Sequence, residues 1–386
     1  AGQPADFTGA VGSYSWTVAD AISTTVRVQV SDAGDADAFD TSDANFKIRG
    51  ALLLTAPNGS EAWAINSSQN ITWTRTGSLP NVKLEYSTNG FADELQTSVI
   101  IASTPADPAP ADNNGTYAWT IPDAPGTTNK VRVSDASDAT VNDISNANFK
   151  IQGVLTLTVP NGGEVWTVGA AQNITWTKFG AIANVELRYS NDGGATYPVG
   201  KIIIASTAAA PLSYSWTIPD DISTTLRVKI TDVADSAVLD ESNANFKIRG
   251  SIAVGAPNGG EVWIVGASQN ITWTRTGSFA NVKLEYSTNG FLNELQTVLI
   301  STSTPAAPLS FAWTMPDAIG TVLKVRASDA ADSTVVDTSN TNFEIKGSLT
   351  LTSPNGTEVW RVAESRNLTW TKTGSIATVK LEYSTN

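Results

Sequence analysis

Three landmarks recur along this 386-residue chain at one shared spacing, and that periodicity constrains its fold more than any other feature. Pro-Asn-Gly steps begin at Pro57, Pro160, Pro257 and Pro354. A Phe inside an Asn-Phe-hydrophobic run falls at Phe46, Phe149, Phe246 and Phe343, and both series advance by 103, 97 and 97 residues. All 12 tryptophans keep the same period. Trp63, Trp166, Trp263 and Trp360 follow Glu-x, and Trp73, Trp176, Trp273 and Trp370 close Asn-x-Thr-Trp. Trp16, Trp119, Trp216 and Trp313 precede Thr.

Within one period the apolar pattern is that of strands. In the repeat beginning near residue 154, runs rich in β-branched and aromatic residues cover 155–159, 164–168, 173–178, 185–190, 201–206, 213–218, 226–231 and 245–248, with turn residues between nearly all of them. Several alternate with period two, as Ile174 and Trp176 do against Asn173 and Thr175, so one face is buried and the other wet. Seven or eight short strands per period, without an amphipathic helix, predict an all-β chain of tandem immunoglobulin-like β-sandwich repeats.

The strand ending Phe-Lys-Ile-Arg-Gly runs straight into the next apolar run at Gly50 and Gly250. This predicts complete repeats at 51–153, 154–250 and 251–347, the C-terminal part of a repeat at 1–50, and the N-terminal part of another at 348–386. Without a Gly/Ser spacer, neighbours are expected to hold a fixed orientation and form an elongated rod, roughly 35 to 40 Å per module. The part-repeats expose strand edges, so the expectation is either a window from a longer array or completion of one chain's end by the next through strand donation. The chain begins with Ala1 and its one Met is Met315, the pattern of a processed product or a piece of something longer.

Composition removes whole classes of function. With no Cys and no His, the sequence has no disulfides, no thiolate or ordinary zinc sites, and no His-based triads. A net charge of −13 works against nucleic-acid and anionic-membrane partners, and no apolar stretch is long enough to span a bilayer as a helix. Large Cys-free, Thr/Ser/Asn-rich β arrays point outside the cell, which sets an expectation of extracellular or cell-surface location.

The string from Pro160 to Thr177, PNGGEVWTVGAAQNITWT, returns almost unchanged at Pro257 to Thr274. With Val185 to Gly194 and the closing Asp240 to Ile248, it resembles the Ig-like repeats of large bacterial surface and secreted proteins. It is also similar to the KNH-type Ig-like domain of fungal cell-wall glucan-assembly proteins. The resemblance implies a sandwich used as spacer, adhesive or wall-associated module, and it carries over no catalytic residues.

Four local patterns invite a functional reading. An acidic set precedes the last strand of each repeat: Asp32, Asp35 and Asp40; Asp135, Asp138 and Asp143; Asp232, Asp235 and Asp240; Asp329, Asp332 and Asp337, each followed by Asp43, Asn146, Asn243 or Asn340. Such oxygens suit Ca²⁺, the one cofactor the sequence suggests, and they equally suit turn capping. Ser190 to Tyr197 resembles an Asp-box hairpin, which is a turn device. The tryptophans either stack on sugars, the Glu-x-Trp set being the best placed, or fill the core. Asn-x-Thr sequons at Asn70, Asn173, Asn270 and Asn367 fall on the outward face of a strand, and others at Asn58, Asn66, Asn114 and Asn355 fall in turns; they are either glycan acceptors or plain surface residues.

Taken together, these readings predict a non-enzymatic structural subunit or segment of a surface filament or stalk that associates end to end. The alternative is an adhesin or carbohydrate-binding array directed at surface glycans. Repetition would then supply avidity, and the Pro/Ala/Asp insertion at 104–115 would be its variable loop. A glycosidase needs a carboxylate pair unique to one cleft, and no Asp or Glu breaks the repeat symmetry in that way.

Overall fold

The computed structural model describes residues 12–108 and 112–385, and its only helical elements are three single 3-10 turns. The repeat at 154–250 shows the architecture. Its strands are β1 (Val154–Val159), β2 (Val165–Thr167), β3 (Ala171–Phe179), β4 (Asn184–Ser190), β5 (Ile202–Ala208), β6 (Ser213–Thr217), β7 (Ser223–Asp232), β8 (Leu239–Glu241) and β9 (Phe246–Arg249). One sheet is ordered β1-β3-β6; the other runs β2-β9-β7-β4-β5, with β8 also paired to β7. Neighbouring strands are antiparallel except β2 and β9, which run parallel with Trp166 beside Ile248.

The period-two alternation explains how the sheets meet. On β3, Ile174 and Trp176 are buried while Asn173 and Thr177 are exposed. Trp176 donates its indole N–H to the Ala209 carbonyl at 3.2 Å, which satisfies the one polar atom it takes into the core. Trp166 from β2 lies 4.9 Å from the ring of Phe246 and 6.0 Å from that of Trp216, and Tyr189 adds a fourth ring at 5.2 Å from Trp216. Emptying one such site costs about 3–5 kcal/mol, enough to unfold a small sandwich.

The same sheets and aromatic cluster recur in the modules on either side. The three-stranded sheets are Ala51–Ala56, Ser68–Thr76 and Asn114–Thr120 in one, and Ser251–Ala256, Ser268–Thr276 and Ser310–Thr314 in the other. Three separate hydrophobic clusters fill the three modules. The chain is a tandem series of immunoglobulin-like β-sandwiches. Residues 12–50 contribute the pairs Ser23–Val26 with Phe46–Ile48 and Gln29–Ser31 with Phe39–Thr41; 348–385 contribute Ser348–Ser353 with Thr369–Thr373.

The sequence pattern locates these elements closely, with one omission. β8 is a three-residue strand, Leu-Asp-Glu, that reads as part of the acidic loop because two of its residues are charged. The polar signal won over a pairing that only tertiary structure reveals.

Candidate functional site: the joints between modules

Four joints link successive modules; glycine contacts form the first piece at all four, and the polar ties that form the second vary from joint to joint. The first is glycine. A Cβ on Gly250 would stand 2.6 Å from the Thr276 carbonyl oxygen and 2.8 Å from the Phe279 ring, so the last residue of one module is pressed against the next. From the other side, Gly277 has φ +90, and a Cβ there would lie 3.1 Å from Ile222 and 3.3 Å from Val168, both in the preceding module. Glycine alone combines that backbone with that contact.

The second piece is a pair of polar ties. At the joint between 154–250 and 251–347 (joint III), Asp220 accepts from the Ser278 N–H at 2.9 Å and from its hydroxyl. On the opposite sheet Lys247 pairs with Asp332 at 2.6 Å, and Arg249 donates to the Thr334 carbonyl at 3.0 Å. At joint I, between 12–50 and 51–153, Asp20 accepts from the Ser78 N–H at 3.0 Å and from its hydroxyl at 2.6 Å, and Arg49 pairs with Asp138 at 3.1 Å. At joint IV, between 251–347 and 348–385, Asp317 holds Ser375 in the same two-bond grip.

Joint II, between 51–153 and 154–250, departs from this plan. Asp123 stands at the matching place beside Gly180, but the hydroxyl is missing because residue 181 is alanine. Lys150 still pairs with Asp235, whereas the position of Arg249 is taken by Gln152, whose side-chain oxygen is buried without a partner.

The serine bonds hold the carboxyls of Asp20 and Asp317 below the ordinary aspartate value. For Asp332, burial pushes upward, yet the bonds from Lys247 and Thr334 outweigh it and the carboxyl is held low. Thr140, and then Arg49, lowers Asp138.

The acidic sets take part in this architecture one residue at a time. The first Asp of each closes a turn: Asp135 accepts from Ser137 N–H at 2.9 Å, Asp232 from Ala234 at 3.0 Å, Asp329 from Ala331 at 2.9 Å, and Asp32 from Gly34 at 2.9 Å. The second Asp, namely Asp138, Asp235 or Asp332, reaches back to a cation of the preceding module, and Asp35 caps the Asp37 N–H. The third crosses between sheets: Asp143, Asp240 and Asp337 each accept at 2.7 Å from the backbone N–H of Leu54, Leu157 and Val254. Asp40 lies on the strand Phe39–Thr41. Among the described residues, no three acidic side chains are gathered as a metal would require.

The two recurring sequence motifs also lock together. Asn161 and Gly162 donate their N–H groups to Glu164 at 2.8 and 2.9 Å, closing the Pro-Asn-Gly-Gly-Glu turn. Ser242 donates to the Pro160 carbonyl at 2.7 Å, and the Asn243 N–H reaches the Asn161 side chain at 2.7 Å. The opening and closing motifs recur together because each satisfies the other's backbone.

The remaining candidates fall on separate surfaces. In the Asp-box-like hairpin, Asp192 takes bonds from Ser190 and Thr196, which hold it far below the usual range; the bonds stay within the turn. Trp63, Trp166 and Trp263 are buried against neighbouring rings, so the complete modules present no Glu-x-Trp platform to water. Of the insertion, residues 109–111 lie outside the described residues, and Asp107 pairs with Arg75 at 2.9 Å. Asn70, Asn173, Asn270 and Asn367 are all exposed. No described helix is long and apolar enough to cross a membrane.

Comparison with known protein families and with curated proteins gives no match. Among solved structures the chain is similar to fibronectin(III)-like modules of Clostridium thermocellum CbhA at 18% identity, over 51% of this chain and 92% of that one, with a TM-score of 0.19. It is also similar to the N-terminal four Ig domains of Dscam1 isoform 6.44, at 8% identity over 80% of this chain and 76% of that one, with a TM-score of 0.29. A titin I-band fragment follows at 10% identity, over 76% of this chain and 97% of that one, with a TM-score of 0.26.

Proposed function

We propose that the chain is a segment of an extracellular stalk or filament, a non-enzymatic spacer whose modules are locked to one another so that the array holds its length. The observation that supports this most directly is the joint: a glycine pressed onto the next module, flanked by the Asp–Ser grip on one side and a Lys–Asp or Arg–Asp pair on the other. A string of independent binding modules gains from slack between its units, and spacer glycines or serines would supply it. These joints instead spend side chains on removing slack.

End-to-end association belongs to the same reading. The pair Ser348–Ser353 and Thr369–Thr373 carries Leu351 and Trp370 exposed, and the segment 12–50 carries Val28 and Val30 exposed. These are faces equivalent to those that close on each other within a complete module. Small-angle scattering and electron microscopy of the purified chain test the reading. Straight particles, roughly 35 to 40 Å per module and joining end to end, are expected. Bent, variable beads that stay single would overturn it.

A further inference from the structure

The outer face of the three-stranded sheet differs from the rest of the surface in every complete module. Its outward positions in 154–250 are Val154, Thr156 and Thr158 on β1, alternate residues from Ala171 to Phe179 on β3, and Ser213, Ser215 and Thr217 on β6. None is charged, and the same holds in 51–153 and 251–347, although the chain carries 61 charged residues, 24 basic and 37 acidic. In the middle of each such face stands the asparagine of Asn-x-Thr-Trp.

That asparagine has no structural work. Asn70, Asn173 and Asn270 are exposed, and among the described residues their side chains make no hydrogen bond. Asparagine is also disfavoured within strands because its side chain competes for backbone groups. In three of the four repeats the threonine two residues on is accounted for: Thr72 bonds Thr55, Thr175 bonds Thr158 and Thr369 bonds Thr352, each at 2.7 Å. The cross-strand neighbours Ala118, Ser215 and Ala312 are small, so the space above each asparagine is open. Asn58, by contrast, is engaged, its side chain accepting from the Asn146 N–H at 2.6 Å.

We infer that Asn70, Asn173, Asn270 and Asn367 are glycan attachment sites, so that an oligosaccharide covers the uncharged, hydroxyl-rich face of each module. The donor class is a polyprenyl-diphosphate-linked oligosaccharide, used by the transferase of the exporting cell. Asn Nδ2 forms the bond to the anomeric carbon, the bond from that carbon to the diphosphate oxygen breaks with its electron pair leaving on the diphosphate, and one Nδ2 proton passes to base. The inference shares with the proposed function only the requirement that the chain be exported.

Mass spectrometry of peptides from the protein purified out of the cells that make it provides the test. All four peptides should carry hexose- or hexosamine-containing mass that amidase release removes, converting each Asn to Asp. In the same cells Asn173→Gln should remove one glycan while leaving the melting temperature of the released, sugar-free protein unchanged. Four peptides at bare polypeptide mass, or sugar confined to Asn58, Asn66, Asn114 and Asn355, would overturn the inference. Neither result depends on whether the particles are straight or bent, so its failure is distinct from that of the stalk reading.

Discussion

Joints II and III follow one plan at different strength. At joint III the following module is held by Asp220 on Ser278, Lys247 on Asp332 and Arg249 on Thr334; at joint II only the pair between Lys150 and Asp235 keeps its counterpart. The difference lies in Ala181 for serine, which leaves Asp123 without a hydroxyl to hold, in Gln152 for arginine, whose own side-chain oxygen has no partner, and in Ala237 for the threonine that Lys247 and Arg249 reach. The module ahead of joint II is also the less settled inside. Its Asn129 is fully buried with an unpartnered side-chain oxygen, at the place where the next two modules have Leu226 and Leu323. Close contact through glycine sets where a joint sits, and the polar ties set how firmly it is held there. Bending should therefore be greater at joint II than at joint III.

The largest effect is expected from damaging the contact itself. In Gly250→Ala the new methyl would press on a backbone oxygen and a core ring that cannot swing aside, so joint III should open and the module after it lose roughly 1–3 kcal/mol. Differential scanning calorimetry and spin-label distances across the joint report both quantities; an unchanged distance distribution would show that the ties hold without the glycine contact. Inside the weaker module, Asn129→Leu should raise stability by about 1–2 kcal/mol, since it removes a buried polar atom that lacks a partner. A loss instead would mean that the bond from Asn129 to the Gly126 carbonyl, at 2.8 Å, outweighs the orphaned oxygen.

The reciprocal exchange addresses the comparison most directly. Ala181→Ser should supply Asp123 with the missing hydroxyl and narrow the spread of angles at joint II, while Ser278→Ala should broaden joint III, each through a bond worth about 0.5–1.5 kcal/mol. Spin-label distance distributions across both joints check this. Equal widths in the parent chain would remove the distinction between the joints.

How much of this was legible beforehand follows from the range of each interaction. Period, strands and core were readable because Trp176, Ile174 and Phe246 repeat and alternate, and hydrophobic burial leaves a local pattern. The joint was half readable: Gly250 at a strand end announces a missing spacer. The grip itself was not, because Asp220 and Ser278 lie 58 residues apart with no local signature, and each alone looks like a turn residue. The acidic sets are hard to read for a related reason. Asp235 and Asp240 are near in sequence, yet one serves the preceding module and the other the facing sheet. Sequence proximity shows that charges are close along the chain and says nothing of where each one points.

Acid should produce the smallest effect, and its sign is fixed by the shifts. Asp20 and Asp317 are held below their ordinary value of 3.8 by serine bonds, so each grip contributes fully above that value and is lost as pH falls through the lower value of the folded chain. Asp332 behaves likewise at joint III, its bonds from Lys247 and Thr334 outweighing the upward push of burial. Lowering pH from neutrality to just above 4 should leave the joints as they are, and a further fall should loosen joints I and IV. Asp20 and Asp317 are exposed and screened, so the change there should show in the width of the distance distribution before it shows in any melting curve. Joint II has no such grip to protonate, and it should soften less than its neighbours over the same range. Were it to soften first, the remaining pair of Lys150 and Asp235 would be carrying more of that joint than one ion pair of its kind normally does.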